Sequence, residues 1–299
     1  MQAINRREFL QQGSAAALSK LSGAQPASPL IDSHVHVWER DPRFPFAAGA
    51  NAPDIDASPQ RLLKLMAQNN VARTVIIQVI HYRWDNSYLA HILRTYPDTF
   101  HGVCRVNPED PAAPDTLTKL TEQGFRGVRL SPAVGSDGDW ITGPLMRPLW
   151  RRCAELKVPM TLLIPAARLP QTVPLLDANP ELTVVIDHMA DCPLDRPDLL
   201  EGLLALARYP RVFVKVSHPW SLSRQAYPYH DALDQIKKLR DRFSAKHLMW
   251  GTDWPIALPR PDYNERVELY WDHLTFLNKE ERADVLYRTV QRVWPFGMT

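Results

Sequence analysis

Residues 29–38 read PLIDSHVHVW, a run in which apolar and polar side chains alternate and two histidines stand one residue apart. Alternation with a period of two marks a strand, because successive strand side chains point to opposite faces. Asp32, His34 and His36 are then expected on one face, with Ile31, Val35 and Val37 on the other. Two imidazoles on a buried face can share a metal ion or together polarise a carbonyl oxygen. An isolated pair can equally be structural, each ring hydrogen-bonded to its neighbours.

Outward from this strand, apolar β-branched runs recur along the chain. They are TVIIQVI from 74, HGVCRVN from 101, FRGVRL from 125, PMTLLI from 159, LTVVIDHM from 182, RVFVKVS from 211 and HLMWGTD from 247, which with residues 30–37 makes eight. Helix-spaced apolar residues lie between them, such as Leu62, Leu63, Leu65 and Met66, or Leu233, Ile236, Leu239 and Phe243. Near-continuous apolar strands alternating with amphipathic helices imply an α/β chain with a parallel sheet covered by helices. Eight such units over about 250 residues predict a single (β/α)8 TIM barrel, here spanning 29–299. The last helix is capped by Asn278 with Glu281 three residues on. It carries Ala283, Leu286, Tyr287, Val290, Val293 and Trp294 on one face and ends at Pro295.

The 299 residues are 45% hydrophobic and 23% charged, with 35 basic and 33 acidic side chains and no block of like charge. This balance offers nucleic acid or an anionic membrane no handle. No run of 18 apolar residues is present, so no membrane span is expected. Cys104, Cys153 and Cys192 are odd in number and lie outside any Cys-x-x-Cys spacing, against a disulfide framework or structural zinc. The first 28 residues carry paired Arg6 and Arg7, then Phe9, Leu10, an Ala-rich stretch and the small residues Ser22, Gly23 and Ala24. They resemble a twin-arginine signal, which implies export to the periplasm; a basic tail on a cytoplasmic protein is the alternative.

A barrel places its chemistry at the C-terminal ends of its strands. There the sixth strand offers Asp187 and His188, the eighth Asp253, and the first His34 and His36. Carboxylate and imidazoles would thus converge on one mouth from separate directions. At this point HVHVW, GFRGVRL, IDHM and WGTDWP together resemble the amidohydrolase superfamily, in particular the amidohydrolase-related (amidohydrolase 2) TIM barrels, which are metal-dependent hydrolase-like folds. The similarity runs from about residue 29 to 296 and is strongest to the 2-pyrone-4,6-dicarboxylate lactonase-like branch, with FPFA at 44–47 and DASPQRL at 56–62 adding to it.

The resemblance implies roles. Asp253 would take a proton from the attacking water, while His34, His36 and His188 hold the carbonyl oxygen, directly or through an ion. If a metal binds, His34, His36 and Asp253 would ligate it. The strand-5 histidine usual in metal-dependent members is absent, since that region reads MTLLIPAARLP. The cofactor expectation is therefore none, or one weakly bound divalent metal such as zinc or manganese. Arg129 matches an arginine that grips a substrate carboxylate. Gln78, Arg105, His218 and Trp254 are further candidates for substrate binding, and Lys215 for an ion pair. Arginines expected beyond strands 4 and 7 have no match, Gly135 and SHPWSLSR standing there. The expected activity is hydrolysis of a cyclic ester of a small organic acid. Decarboxylation of an aromatic or unsaturated acid with a metal is one alternative, and a non-catalytic exported binding barrel another.

Overall fold

A computed structural model describes residues 30–131, 140–258 and 261–297. The signal sequence expected at 1–28 lies outside these residues, as does Gly135. Eight parallel strands follow one another in the order of the chain. They are β1 (Leu30–Val35), β2 (Val71–Ile77), β3 (Phe100–Arg105), β4 (Gly127–Leu130), β5 (Met160–Leu162), β6 (Val184–Ile186), β7 (Val212–Lys215) and β8 (Leu248–Met249). Each lies within, or within three residues of, a run read as a strand in the sequence. The ring closes between β8 and β1 through a parallel bridge of Val35 with Trp254, flanked by Asp253 N–H donating to His34 O at 2.8 Å and His36 N–H to Trp254 O at 2.7 Å. Closure and candidate site thus use the same residues. The result is a TIM barrel.

Helices occupy the connections: α1 (Pro59–Gln68), α2 (Ser87–Thr95), α3 (Ala113–Glu122), α4 (Met146–Leu156), α5 (Val173–Ala178), α6 (Pro197–Leu204), α7 (Pro219–Leu222), α8 (His230–Phe243), α9 (Tyr263–Asp272), α10 (Lys279–Ala283) and α11 (Thr289–Val293). Local chemistry sets several of their starts. Ser58 accepts from Arg61 N–H ahead of Pro59 in α1, and α9 and α10 open with capping boxes, Asp262 with Glu265 and Asn278 with Glu281. A π turn at Asp284–Arg288 links α10 to α11. Among the described residues no helix is long and apolar enough to cross a membrane.

Two apolar layers result. The outer one lies between strands and helices. The inner one gathers Ile31, Val75, Ile77, Val103, Val185 and Met249, and Val290, Val293, Trp294 and Phe296 pack against them from the C-terminal segment. Strict alternation along β1 fails here. Ile31 joins the inner cluster, while the Asp32 carboxylate accepts from Thr252 and from Tyr263 of α9. The register of β1 on β2 shifts between Leu30 and Ile31 and again between Asp32 and Val35. A bulge of this kind re-aims side chains, and it leaves His34 and His36 facing the interior without Asp32.

Candidate active site

The strand ends bring five titratable groups together. Asp253 Oδ1 lies 3.5 Å from His34 Nε2 and 3.4 Å from His36 Nε2, Asp253 Oδ2 lies 3.2 Å from His218 Nδ1, and His34 Nε2 is 3.3 Å from His36 Nε2. The His188 ring lies 4.6 Å from the His34 ring, tilted by 43°, with its Nδ1 2.8 Å from Ser217 Oγ. His188, His218 and Asp253 lie two, three and four residues beyond the ends of β6, β7 and β8, and all have left-handed backbones, with φ of 49°, 63° and 51°. Met189, Ala190 and Asp191 continue the left-handed run after His188. Such conformations are costly for residues with a Cβ and persist where the surroundings enforce them, commonly at functional sites. Gly251 lets this end of the barrel close up, since a Cβ there would stand 2.8 Å from His34 Cβ.

A carboxylate behind the rings organises them. Asp187, fully buried, lies 3.3 Å from His34 Nδ1 and 3.1 Å from Lys215 Nζ, and its other oxygen accepts from Arg129 Nε at 2.9 Å. Asp32 forms a second clasp, accepting from Thr252 Oγ1 at 2.6 Å, Thr252 N–H at 3.0 Å and His34 N–H at 3.0 Å. It ties the chain on both sides of the closure. Arg266 of α9, also fully buried, donates to the carbonyls of Thr252 (2.9 Å), Ile256 (2.5 Å) and Pro261 (2.8 Å), holding the segment that carries Asp253.

The cavity above these groups measures about 280 Å³. That is at the small end for ligand pockets, the size for a single-ring molecule. His36, His188, His218 and Asp253 line its floor, Arg105, Arg129, Ser131 and Asp191 add polar wall, and Val79, Ile80, Leu163 and Ile256 add apolar wall. Arg105 donates to Ser131 Oγ at 2.5 Å and lies over Trp84. Of the sequence candidates, Gln78 and Trp254 stand outside this lining. Gln78 Nε2 donates to Asp85 O at 2.5 Å, and Trp254 is buried in the closure. Ser131, Asp191, Asp32 and Arg266 were not singled out by sequence. Asp32 sits in the same run as the histidines, but nothing in the pattern of α9 distinguishes Arg266 from a surface arginine.

Electrostatics favour neutral rings beside an anion. Burial pushes His188 down to about 3 and also lowers His34 and His218. Burial acts to raise Asp253, but His188, His36, His34 and His218 hold it well below the usual carboxylate range. Asp187 is likewise held low against its burial by Lys215, His34 and Arg129. Asp32 and Asp191 go the other way, burial raising each to about 6.

A pH dependence of stability follows. Below about 6.5 the unfolded chain binds protons that the folded His34, His81, His101, His188 and His218 resist, because burial lowers all five. Their contribution is complete above that pH and is lost as the pH falls toward about 3, the value to which His188 is driven. Asp32 and Asp191 oppose this, since the folded carboxyls keep protons between 3.8 and about 6 that the unfolded chain gives up. Five groups outweigh two, so the melting temperature is expected to fall from pH 7 to pH 5. Thermal unfolding across that range checks this, and a rise on acidification would contradict it.

The donor set also passes a test for a divalent ion. Asp253 Oδ1 is buried without a hydrogen-bond partner among the described residues. Its triangle with the two Nε2 atoms has edges of 3.3, 3.4 and 3.5 Å. Ligands on a tetrahedral zinc-like ion at about 2.1 Å are spaced by about 3.4 Å. His188 joins, with one donor atom each from His34, His188 and Asp253 within 4.8 Å of one another. The fit requires that His34 Nε2 present its lone pair.

Comparison with known proteins places this geometry in a family. Residues 31–296 match the amidohydrolase family. The chain is 30% identical over 237 residues to the L-fucono-1,5-lactonase of Burkholderia ambifaria, covering 76% of this chain and 80% of that protein. It is 26% identical over 233 residues to the 4-sulfomuconolactone hydrolase of Hydrogenophaga intermedia, covering 75% and 74%. The crystal structure of a proposed 2-pyrone-4,6-dicarboxylic acid hydrolase from Pseudomonas putida superposes with a TM-score of 0.78 at 28% identity, over 91% of this chain and 99% of that one. The protein is a hydrolase belonging to the amidohydrolase family.

Proposed function

We propose that the enzyme opens a small lactone bearing a carboxylate, with water as the nucleophile. The observation that carries this reading is Asp253, an anionic carboxylate whose Oδ1 has no hydrogen-bond donor of its own and which lines the cavity beside His36, His188 and His218. The names of relatives that act on lactones support the substrate class. Asp253 takes a proton from water as its oxygen attacks the carbonyl carbon. The ring C–O bond then breaks, and the same carboxyl returns the proton to the departing ring oxygen. Histidine N–H groups that face the carbonyl oxygen stabilise its developing charge. A divalent ion held by His34, His36, His188 and Asp253 would supply Lewis acidity to that same oxygen. Arg129 and Arg105, with Ser131, offer charge-assisted donors to an acidic group on the ring.

A panel of five- and six-membered lactones, neutral and carboxylated, followed by proton release, tests this. The expected outcome is turnover with a preference for the carboxylated ring. Replacing Arg105, which lines the cavity without touching Asp187, with Met should raise KM for that substrate at least tenfold and leave kcat on a neutral lactone within a few-fold. Equal loss on both substrates would contradict the carboxylate role.

A further inference from the structure

His34 Nδ1 stands between two groups that make opposite demands on it. Lys215 Nζ hydrogen-bonds to it at 3.1 Å, and Asp187 Oδ1 lies 3.3 Å away. All three side chains are fully buried, and both contacts are direct. An ammonium can only donate and a carboxylate only accept. If Lys215 donates, Nδ1 carries the lone pair and the proton of the neutral ring sits on Nε2. If Asp187 accepts, the proton sits on Nδ1 and the lone pair is on Nε2.

The remaining ring removes any ambiguity about the consequence. His36 Nδ1 lies 2.7 Å from Ile77 O, and since a carbonyl only accepts, Nδ1 bears the proton and His36 Nε2 presents its lone pair. His34 Nε2 faces that lone pair at 3.3 Å and Asp253 Oδ1 at 3.5 Å. With a proton on His34 Nε2 the network is satisfied internally. Without one, two lone pairs and a carboxylate converge on one point, which is a donor set for a cation.

We propose that Lys215 is a positioning residue that sets the proton of His34 on Nε2 and so keeps divalent-metal affinity low, while Asp187 competes for the same nitrogen and favours metal. The shorter contact, and the one with hydrogen-bond geometry, is to Lys215. Asp187 Oδ1 itself lies 3.1 Å from Lys215 Nζ, so the ammonium serves both the ring nitrogen and the carboxylate and leaves Asp187 less need of the ring proton. The inference concerns the same site as the lactone reading but stands apart from it, because neither readout uses turnover.

Two measurements test it. Nitrogen-15 spectra of the metal-free, histidine-labelled wild type at neutral pH should give His34 the signature of an Nε2–H ring. An Nδ1–H signature would overturn the proposal, and this test requires no variant. Lys215→Met should then move His34 to the Nδ1–H form and tighten zinc binding about tenfold or more, read by competition with a chromophoric chelator. Lys215→Gln, which keeps a donor, should return the wild-type signature and affinity. Unchanged or weaker zinc binding in folded Lys215→Met would overturn the proposal, because loss of a structural ion pair alone loosens a site and does not tighten it.

Discussion

Asp253→Asn is expected to lower kcat on a lactone by about a thousandfold, the range for loss of a general base, with KM within a few-fold of wild type and the fold intact. The amide keeps the shape of the carboxyl but cannot take a proton from water. Retention of structure is expected because Asp253 is held by backbone, through its N–H to His34 O at 2.8 Å and its carbonyl to Ile256 N–H at 2.9 Å. Kinetics beside a thermal melt check both halves. Near-normal turnover would remove Asp253 from the proton path.

The second large effect is expected from a residue that touches no substrate. Arg266→Met removes the donors that bind the carbonyls of Thr252, Ile256 and Pro261 and the cation lying 4.6 Å over the Trp220 ring. The freed carbonyls of Thr252 and Pro261 belong to buried residues, and buried acceptors without donors cost about 1–3 kcal/mol each. A loss on the order of 3 kcal/mol is therefore expected in denaturant unfolding. Turnover should fall by roughly a hundredfold even in the fraction that stays folded, because a misplacement of about 1 Å in a catalytic group costs that much. Full activity in folded Arg266→Met would show that the bridge from Asp253 to His34 alone positions the base.

The barrel was legible because its evidence is periodic. Eight apolar runs separated by helical spacing have few other solutions, and the Asn278 cap with Glu281 marked the start of the last helical segment. The histidines and Asp253 were legible because strand ends of a barrel share one mouth. Relations between distant residues were not. Nothing in the local pattern of residues 262–272 says that Arg266 turns inward to three carbonyls. The bulge that sends Asp32 outward to Thr252 and Tyr263 breaks the alternation from which its direction was read. Lys215 could be read as an ion-pair partner, but its contact with His34 depends on barrel closure, which brings residues 181 positions apart in sequence within 3.1 Å.

The most direct test of the central claim is hydrolysis of a carboxylated lactone by the wild-type enzyme in oxygen-18 water, with the product analysed by mass spectrometry. One heavy oxygen in the newly formed carboxylate and none in the released hydroxyl is the expected result, because water activated by Asp253 attacks the carbonyl carbon. Label in the hydroxyl, or no opening of any lactone, would contradict it.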